Sequence, residues 1–191
     1  MIPHDELEVK ARVDDPAALS RTLATAGVLE FRGAMSDRRY DRSGEFEARD
    51  EVVRLRVYQP EGTAPGWGVL GWKGPAGARG AYRHRAEVET RVADAAAAAA
   101  VLERLGLQVI LRIDRDIEQY RVGDAVARLE RYPGMDTLLE VEGSPAAIEH
   151  AIAATGLPRA AFLSESLPYF VIEYERRTGS RARLATTDPQ T

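Results

Sequence analysis

Residues 6 to 13 alternate without a break: Glu6, Glu8, Lys10 and Arg12 fall on one side of an extended chain, and Leu7, Val9, Ala11 and Val13 on the other. A period of two is that of a β-strand. The pattern returns at Val52–Tyr58, where Arg54 and Arg56 oppose Val53, Leu55 and Val57, and at Tyr82–Thr90, where Arg83, Arg85, Glu87 and Glu89 share a face. Near Leu138–Val141 it places Glu140 and Glu142 together. These faces carry formal charges of both signs rather than neutral polar groups, and that limits the architecture to two forms. In one, an open sheet turns its charged face to water. In the other, a closed barrel points its charges inward while helices cover its apolar outside. The interior of a small barrel is ordinarily filled by side chains, and burying charge is costly unless opposite charges or bound ions compensate. An inward-charged barrel therefore implies a wet lumen that holds cations and an anion.

The remaining elements suit the second form. Amphipathic helices are expected at about 16–26, 94–105, 145–155 and 166–178. Asp15 before Pro16, Asp94 and Ser144 before Pro145 are start signals, and Gly27, Gly106, Gly156 and Gly179 are stops. Further strands are expected near Arg38–Asp41, Trp67–Lys73, Val109–Arg115, Glu118–Val122 and Ala125–Arg131. The fold class is α+β, a closed antiparallel β-barrel of about eight strands with a charged lumen and helices packed outside. No linker divides the chain, so one domain over 1–179 is expected, followed by a small polar tail, 180–191, without fixed structure.

Composition removes several functions. The 191 residues include no cysteine, which excludes disulfides, thiolate metal sites and cysteine nucleophiles and fits a reducing compartment. The net charge of −4 argues against nucleic acid as a partner. The apolar run at Ala95–Ala100 is too short to span a bilayer. With no apolar signal core near the N-terminus, a cytoplasmic location with no membrane partner is the expectation. His4, His84 and His150 share no ligand spacing, and no Ser-His-Asp arrangement stands out. Gly66–Gly74 is glycine-rich but lacks the Gly-Lys-Ser/Thr ending of a P-loop. Trp67 and Trp72 within it are expected to pack on the outer face.

Read in order, these segments resemble the CYTH superfamily, the triphosphate tunnel metalloenzymes. Glu6-Leu7-Glu8-Val9-Lys10 resembles the E-x-E-x-K strand, and Asp37-Arg38-Arg39-Tyr40-Asp41 the aspartate/aromatic segment. Arg54-Leu55-Arg56 is similar to the R-x-R strand, and Lys73-Gly74-Pro75 to the K-G-P strand end of the class IV adenylate cyclase branch. Arg85-Ala86-Glu87-Val88-Glu89 is similar to R-x-E-x-E, and Glu140-Val141-Glu142 to the late E-x-E strand. The resemblance spans about residues 5 to 175. It departs where a K-x-R pair is usual and this chain offers Arg112 and Arg115, where Glu130 replaces an aspartate, and where a tyrosine near Arg39 is changed.

The resemblance implies the roles. Glu6, Glu8, Glu140 and Glu142, with Glu89 for a second site, would ligate Mg²⁺ or Mn²⁺, hard cations suited to carboxylate oxygens. Lys10, Arg54, Arg56, Lys73 and Arg85 would hold the triphosphate and serve catalysis together with Glu87. Arg115 is the first further phosphate ligand, ahead of Arg12, Arg83, Arg112 and Arg128. The implied activity is cyclisation of ATP to cyclic AMP and pyrophosphate. Hydrolysis of tripolyphosphate, thiamine triphosphate or another organic triphosphate is the alternative, and a non-catalytic polyphosphate or nucleotide sensor a third reading. Solvated faces with ordinary cross-strand ion pairs would account for the same charges without any site. A homodimer is consistent with family habit.

Overall fold

Strand β1 (His4–Val13) changes partner at Glu8. Up to Glu8 it pairs with β6 (Tyr82–Val92), and from Glu8 onward with β9 (Thr137–Glu142), antiparallel in both cases. The first strand therefore closes the sheet. In this computed structural model, which describes residues 4–186, the order around the barrel is β1, β9, β8 (Ala125–Arg131), β7 (Gln108–Val122), β2 (Val28–Asp41), β3 (Val52–Pro60), β4 (Trp67–Lys73), β6 and back to β1. Eight strands form the closed antiparallel barrel. The short β5 (Gly77–Arg79), where only a turn is expected from sequence, pairs with the start of β6. Full closure removes the exposed sheet edges that an open form would leave.

The main apolar core lies outside the barrel. Leu7, Val9, Ala11 and Val13 form the outer face of β1, with Tyr120, Ala127, Leu129, Leu139 and Val141 beside them. Helices α1 (Pro16–Ala26) and α3 (Pro145–Thr155) cover this surface with Leu19, Leu23, Ile148 and Ile152. Helix α2 (Ala95–Arg104) sets Leu102 on Tyr40 and Leu55. Asp15, Asp94 and Ser144 each accept a hydrogen bond from the backbone N–H three residues on, the N-cap arrangement their positions suggest. Helix α4 (Leu167–Thr178) differs, because Leu167 and Phe170 pack on Ile113 and Leu138. Those two residues lie on the lumen-facing side of β7 and β9, so α4 sits on the rim of one tunnel mouth. Among the described residues no helix is long and apolar enough to cross a membrane.

Two strands are longer than sequence suggests. β2 runs from 28 to 41 instead of only 38–41. Its inward residues Phe31, Met35 and Asp37 are buried, while Arg32 and Ala34, with no helix over them, are exposed. The exposed face is thus the outer one, the reverse of β1. β7 is one strand of 15 residues rather than two, continuing through Asp114-Arg115-Asp116 with Arg115 inward and Asp116 exposed. Beyond α4, Asp114 accepts bonds from the Thr186 amide and hydroxyl, and Arg183 bridges Gly134. The segment from 180, expected to lack structure, thus lies against the barrel as far as Thr186; 187–191 fall outside the described residues.

Candidate functional site: a two-walled charged tunnel

The lumen holds a cavity of about 520 Å³, within the usual size range of small-molecule sites. Its walls differ in charge. On β1 and β9, Glu6, Glu8, Glu140 and Glu142 face inward, with Glu8 directly opposite Glu142 and Lys10 opposite Glu140. On β2, β3 and β7, Arg39, Arg54, Arg56 and Arg115 face inward around Asp37. Most of these groups are less than a tenth exposed.

Burial at this charge density requires pairing, and the lumen is densely paired. Lys10 lies 2.8 Å from both Glu8 and Glu140. Burial disfavours its ammonium form, but Glu140 and Glu8 outweigh that and raise its pKa above the ordinary lysine value. Lys73 is bonded to Glu6 and stands 3.4 Å from Glu87. Arg128 contacts Glu140 at 2.6 Å. Burial alone would raise the pKa of Glu140, yet Lys10 and Arg128 hold its carboxyl well below the usual range. Glu142 is the opposite case. Burial pushes its pKa up to about 7 against the pull of Arg128, and Glu6 and Glu140 add to the rise. Burial also raises Glu8, against Lys10. The β1–β9 wall therefore carries more carboxylate than its cations satisfy.

Across the lumen, Arg54 reaches Glu87 at 2.8 Å and Glu89 at 3.1 Å, and Arg56 is bonded to Glu89. Arg115 binds Glu130 at 2.6 Å and Asp37 at 3.2 Å, and the Tyr132 hydroxyl donates to Glu130 at 2.6 Å. Arg85 donates to Asp50 at 2.6 Å and to the Gly74 carbonyl at 2.9 Å, which ties the loop before β3 to the mouth. The Nε atoms of Arg39, Arg54, Arg56 and Arg115 and Oδ1 of Asp37 are buried without a hydrogen-bond partner.

Deeper in, the lumen turns apolar. Tyr58 and Trp67 stack at 5.3 Å, and Phe31 meets both edge-on. Trp67 faces inward, not outward as its sequence context suggests, because β4 places Trp67, Val69, Gly71 and Lys73 on one face, in register with Tyr58, Arg56, Arg54 and Val52. Trp72 points the other way, its ring against Gly74.

The sequence matches the CYTH domain family over residues 4–157. The chain belongs to the CYTH domain family. Among solved structures, the PH1819 protein of Pyrococcus horikoshii OT3 superimposes with a TM-score of 0.70 at 21% identity, covering 88% of this chain and 98% of that one. A candidate adenylate cyclase from Vibrio parahaemolyticus gives a TM-score of 0.71 at 21% identity, covering 87% and 97%. A candidate adenylyl cyclase from Hippeastrum, described as having a dominant triphosphatase activity, gives 0.63 at 16%, covering 95% and 98%. At these identities the likeness is one of fold. No curated protein matches the sequence. Membership of this family implies a triphosphate ligand and a divalent metal.

Within the CYTH barrel, the residues singled out from sequence divide. Glu6, Glu8, Lys10, Glu140 and Glu142 come together on one wall. Arg54, Arg56 and Arg115 come together on the other, with Lys73, Arg85 and Glu87 between. Glu89 stands apart from the carboxylate wall, held by Arg54 and Arg56; burial opposes its ionisation, but a hydrogen bond with Glu87 and the charges of Arg56 and Arg54 bring its pKa down to about 2. Arg115 lines the lumen while Arg112, three residues away, is exposed on the outside. Arg83 and Arg128 line the cavity; Arg12 is exposed and pairs with Asp14. Sequence reading gave no role to Asp37 or Arg39. Both fall in the segment that resembles the family's aspartate/aromatic motif, but their inward phase along β2 is legible only once that strand is known to extend back to residue 28.

Proposed function

We propose that this CYTH protein is a metal-dependent enzyme that grips a triphosphate between the two walls and breaks one of its P–O–P links, with ATP cyclisation to cyclic AMP and pyrophosphate as the reaction. The observation that carries the reading is the segregation of the lumen into a carboxylate wall and a guanidinium wall facing one cavity. Phosphoryl chemistry needs charge neutralisation and in-line positioning more than a protein nucleophile.

The donor set of the β1–β9 wall fits Mg²⁺ or Mn²⁺. It offers only carboxylate oxygens, the ligand type of hard cations, and Glu8 and Glu142 have raised proton affinity that a cation would relieve. Among the described residues no three carboxylates already converge on one point; Lys10 and Lys73 lie among them. A divalent ion held by Glu6, Glu8, Glu140 and Glu142 would offset phosphate charge and fix the chain of phosphates against the arginines. Lys10 and Lys73, now paired with these carboxylates, would be released by such an ion to turn their ammonium groups to phosphate oxygens. Arg54, Arg56 and Arg115 bind from the opposite side through planar, two-pronged donors. Glu87, bound to Arg54 and near Lys73, positions both.

Cyclisation also needs room for a nucleoside. Val52, Ile110, Leu111, Leu167 and Pro168 line the same cavity as the charges and form an apolar zone beside them. There the ribose 3′-oxygen can attack the α-phosphorus as pyrophosphate leaves, the hydroxyl proton passing to the carboxylate-rich wall. Hydrolysis is the second reading, favoured by the Hippeastrum neighbour described with triphosphatase activity. The test is to incubate the protein with ATP, tripolyphosphate or thiamine triphosphate and Mg²⁺ or Mn²⁺, and to identify the products. Cyclic AMP with pyrophosphate supports cyclisation. Orthophosphate without cyclic nucleotide replaces it with hydrolysis. Tight binding without turnover overturns the enzyme reading in favour of a sensor.

A further inference from the structure

Among the described residues, every inward cation of the two walls has a carboxylate partner except one. Arg39 makes no hydrogen bond or ion pair with any described residue, although it lines the cavity. It lies on the inward face of β2 near the end of that strand, and its directly paired neighbour on β3 is Arg54. Like charges on paired positions of adjacent strands are destabilising. The carboxylate two residues back, Asp37, is already contacted by Arg115 at 3.2 Å and Arg54 at 3.8 Å, and the one two residues on, Asp41, accepts from the backbone N–H groups of Arg42, Phe46 and Glu47. Burial lowers the Arg39 pKa; Asp37 opposes the fall, while Arg54, Arg115 and Arg85 add to it. An unpaired guanidinium held among three others costs stability in the ligand-free protein and is offset only when an anion arrives.

We infer that Arg39 is a substrate-binding residue, contacting the phosphate group nearest the tunnel mouth together with Arg54. The inference rests on the triphosphate reading and adds to it a ligand that neither the sequence motifs nor their usual roles single out. Arg39 has no carboxylate to release on binding. Its contact with phosphate therefore carries none of the exchange cost met by Arg54, Arg56 and Arg115, each of which must loosen an existing pair.

The test uses inorganic tripolyphosphate as the calorimetric probe on the full chain, with Mn²⁺ present, for wild type, Arg39→Gln and Arg39→Lys, together with the ligand-free melting temperature of each. Arg39→Gln should weaken binding roughly tenfold or more, the size of a charge-assisted hydrogen bond, and Arg39→Lys should recover part of the loss. The ligand-free melting temperature of Arg39→Gln should stay level or rise, because a repulsion is removed. Wild-type affinity in Arg39→Gln overturns this inference alone. Loss of binding accompanied by a matching fall in melting temperature also overturns it, since that marks a structural role. Failure of the wild type to bind tripolyphosphate overturns the triphosphate reading and this inference with it.

Discussion

Glu8 and Glu142 occupy directly paired positions of β1 and β9, both facing the lumen. Two carboxylates placed so close repel unless a proton or a cation lies between them. Glu142 has its pKa pushed up to about 7 from an ordinary value of 4.5. Between those two values the unfolded chain has lost a proton that the folded protein keeps, so stability from this group falls as pH rises through the interval. Without metal, Glu142→Gln should therefore melt higher than wild type at pH 8, by roughly 2–4 °C for about 1 kcal/mol. The difference should shrink toward pH 4.5. Saturating Mn²⁺ should reverse the order, because the variant has lost a ligand. Melts with EDTA and with Mn²⁺ at both pH values check this.

Arg115 and Arg112 make a controlled pair. Arg115 is buried between Glu130 and Asp37, whereas Arg112 is exposed. Removing one partner of a buried ion pair costs about 3–5 kcal/mol. Glu130→Gln should lower urea stability by an amount of that order, and Arg112→Ala should change it by less than about 0.5 kcal/mol. Equal effects would show that the inward assignment of Arg115 is wrong.

Glu118 tests the outer shell independently of the lumen. Burial opposes its ionisation, but bonds from Ser20, Tyr120, Arg131 and Arg32 bring its pKa down to about 2 from an ordinary 4.5. A depressed carboxylate contributes stability above its unfolded pKa and loses it as pH falls through the folded one. Glu118→Gln should be less stable than wild type at pH 7, and the two curves should converge between pH 4.5 and 2. Acid titrations followed by circular dichroism measure the convergence.

At Gly33 the backbone turns with φ +156° while β2 crosses closely over β3; a Cβ there would lie 2.1 Å from the Gln59 carbonyl oxygen. Main-chain atoms cannot swing aside as a side chain can. Gly33→Ala should lower stability by about 2 kcal/mol or more. Gly62→Ala, at φ +84° with open space around it, serves as the control for φ strain alone and should cost less.

Much of this barrel was legible because its strands contrast charge with hydrocarbon. β1, β3, β6 and β9 could be read as inward charge and outward core from alternation alone. β2 could not, because its outer face carries the polar residues Arg32, Ser36 and Arg38, which hides the alternation. β4 gave no contrast either. Its glycines break the pattern, so only the register with β3 reveals that Trp67 points inward. The choice between Arg112 and Arg115 rested on register too, since Arg115 pairs with inward Met35 and Arg112 with Arg38 on the opposite face. The isolation of Arg39 was hidden for another reason. Whether a cation is paired depends on carboxylates from distant strands, and spacing along the chain does not report them.

The claim that the carboxylate wall and the arginine wall act together on one triphosphate is tested most directly by phosphorus NMR, recorded after the metal is removed from each quenched sample, of ATP incubated with wild type and with Glu8→Gln, each with Mn²⁺ and with EDTA. ATP should be consumed only by wild type with Mn²⁺, while Glu8→Gln stays folded and inert. ATP consumption by Glu8→Gln at the wild-type rate, or by wild type in EDTA, would contradict it.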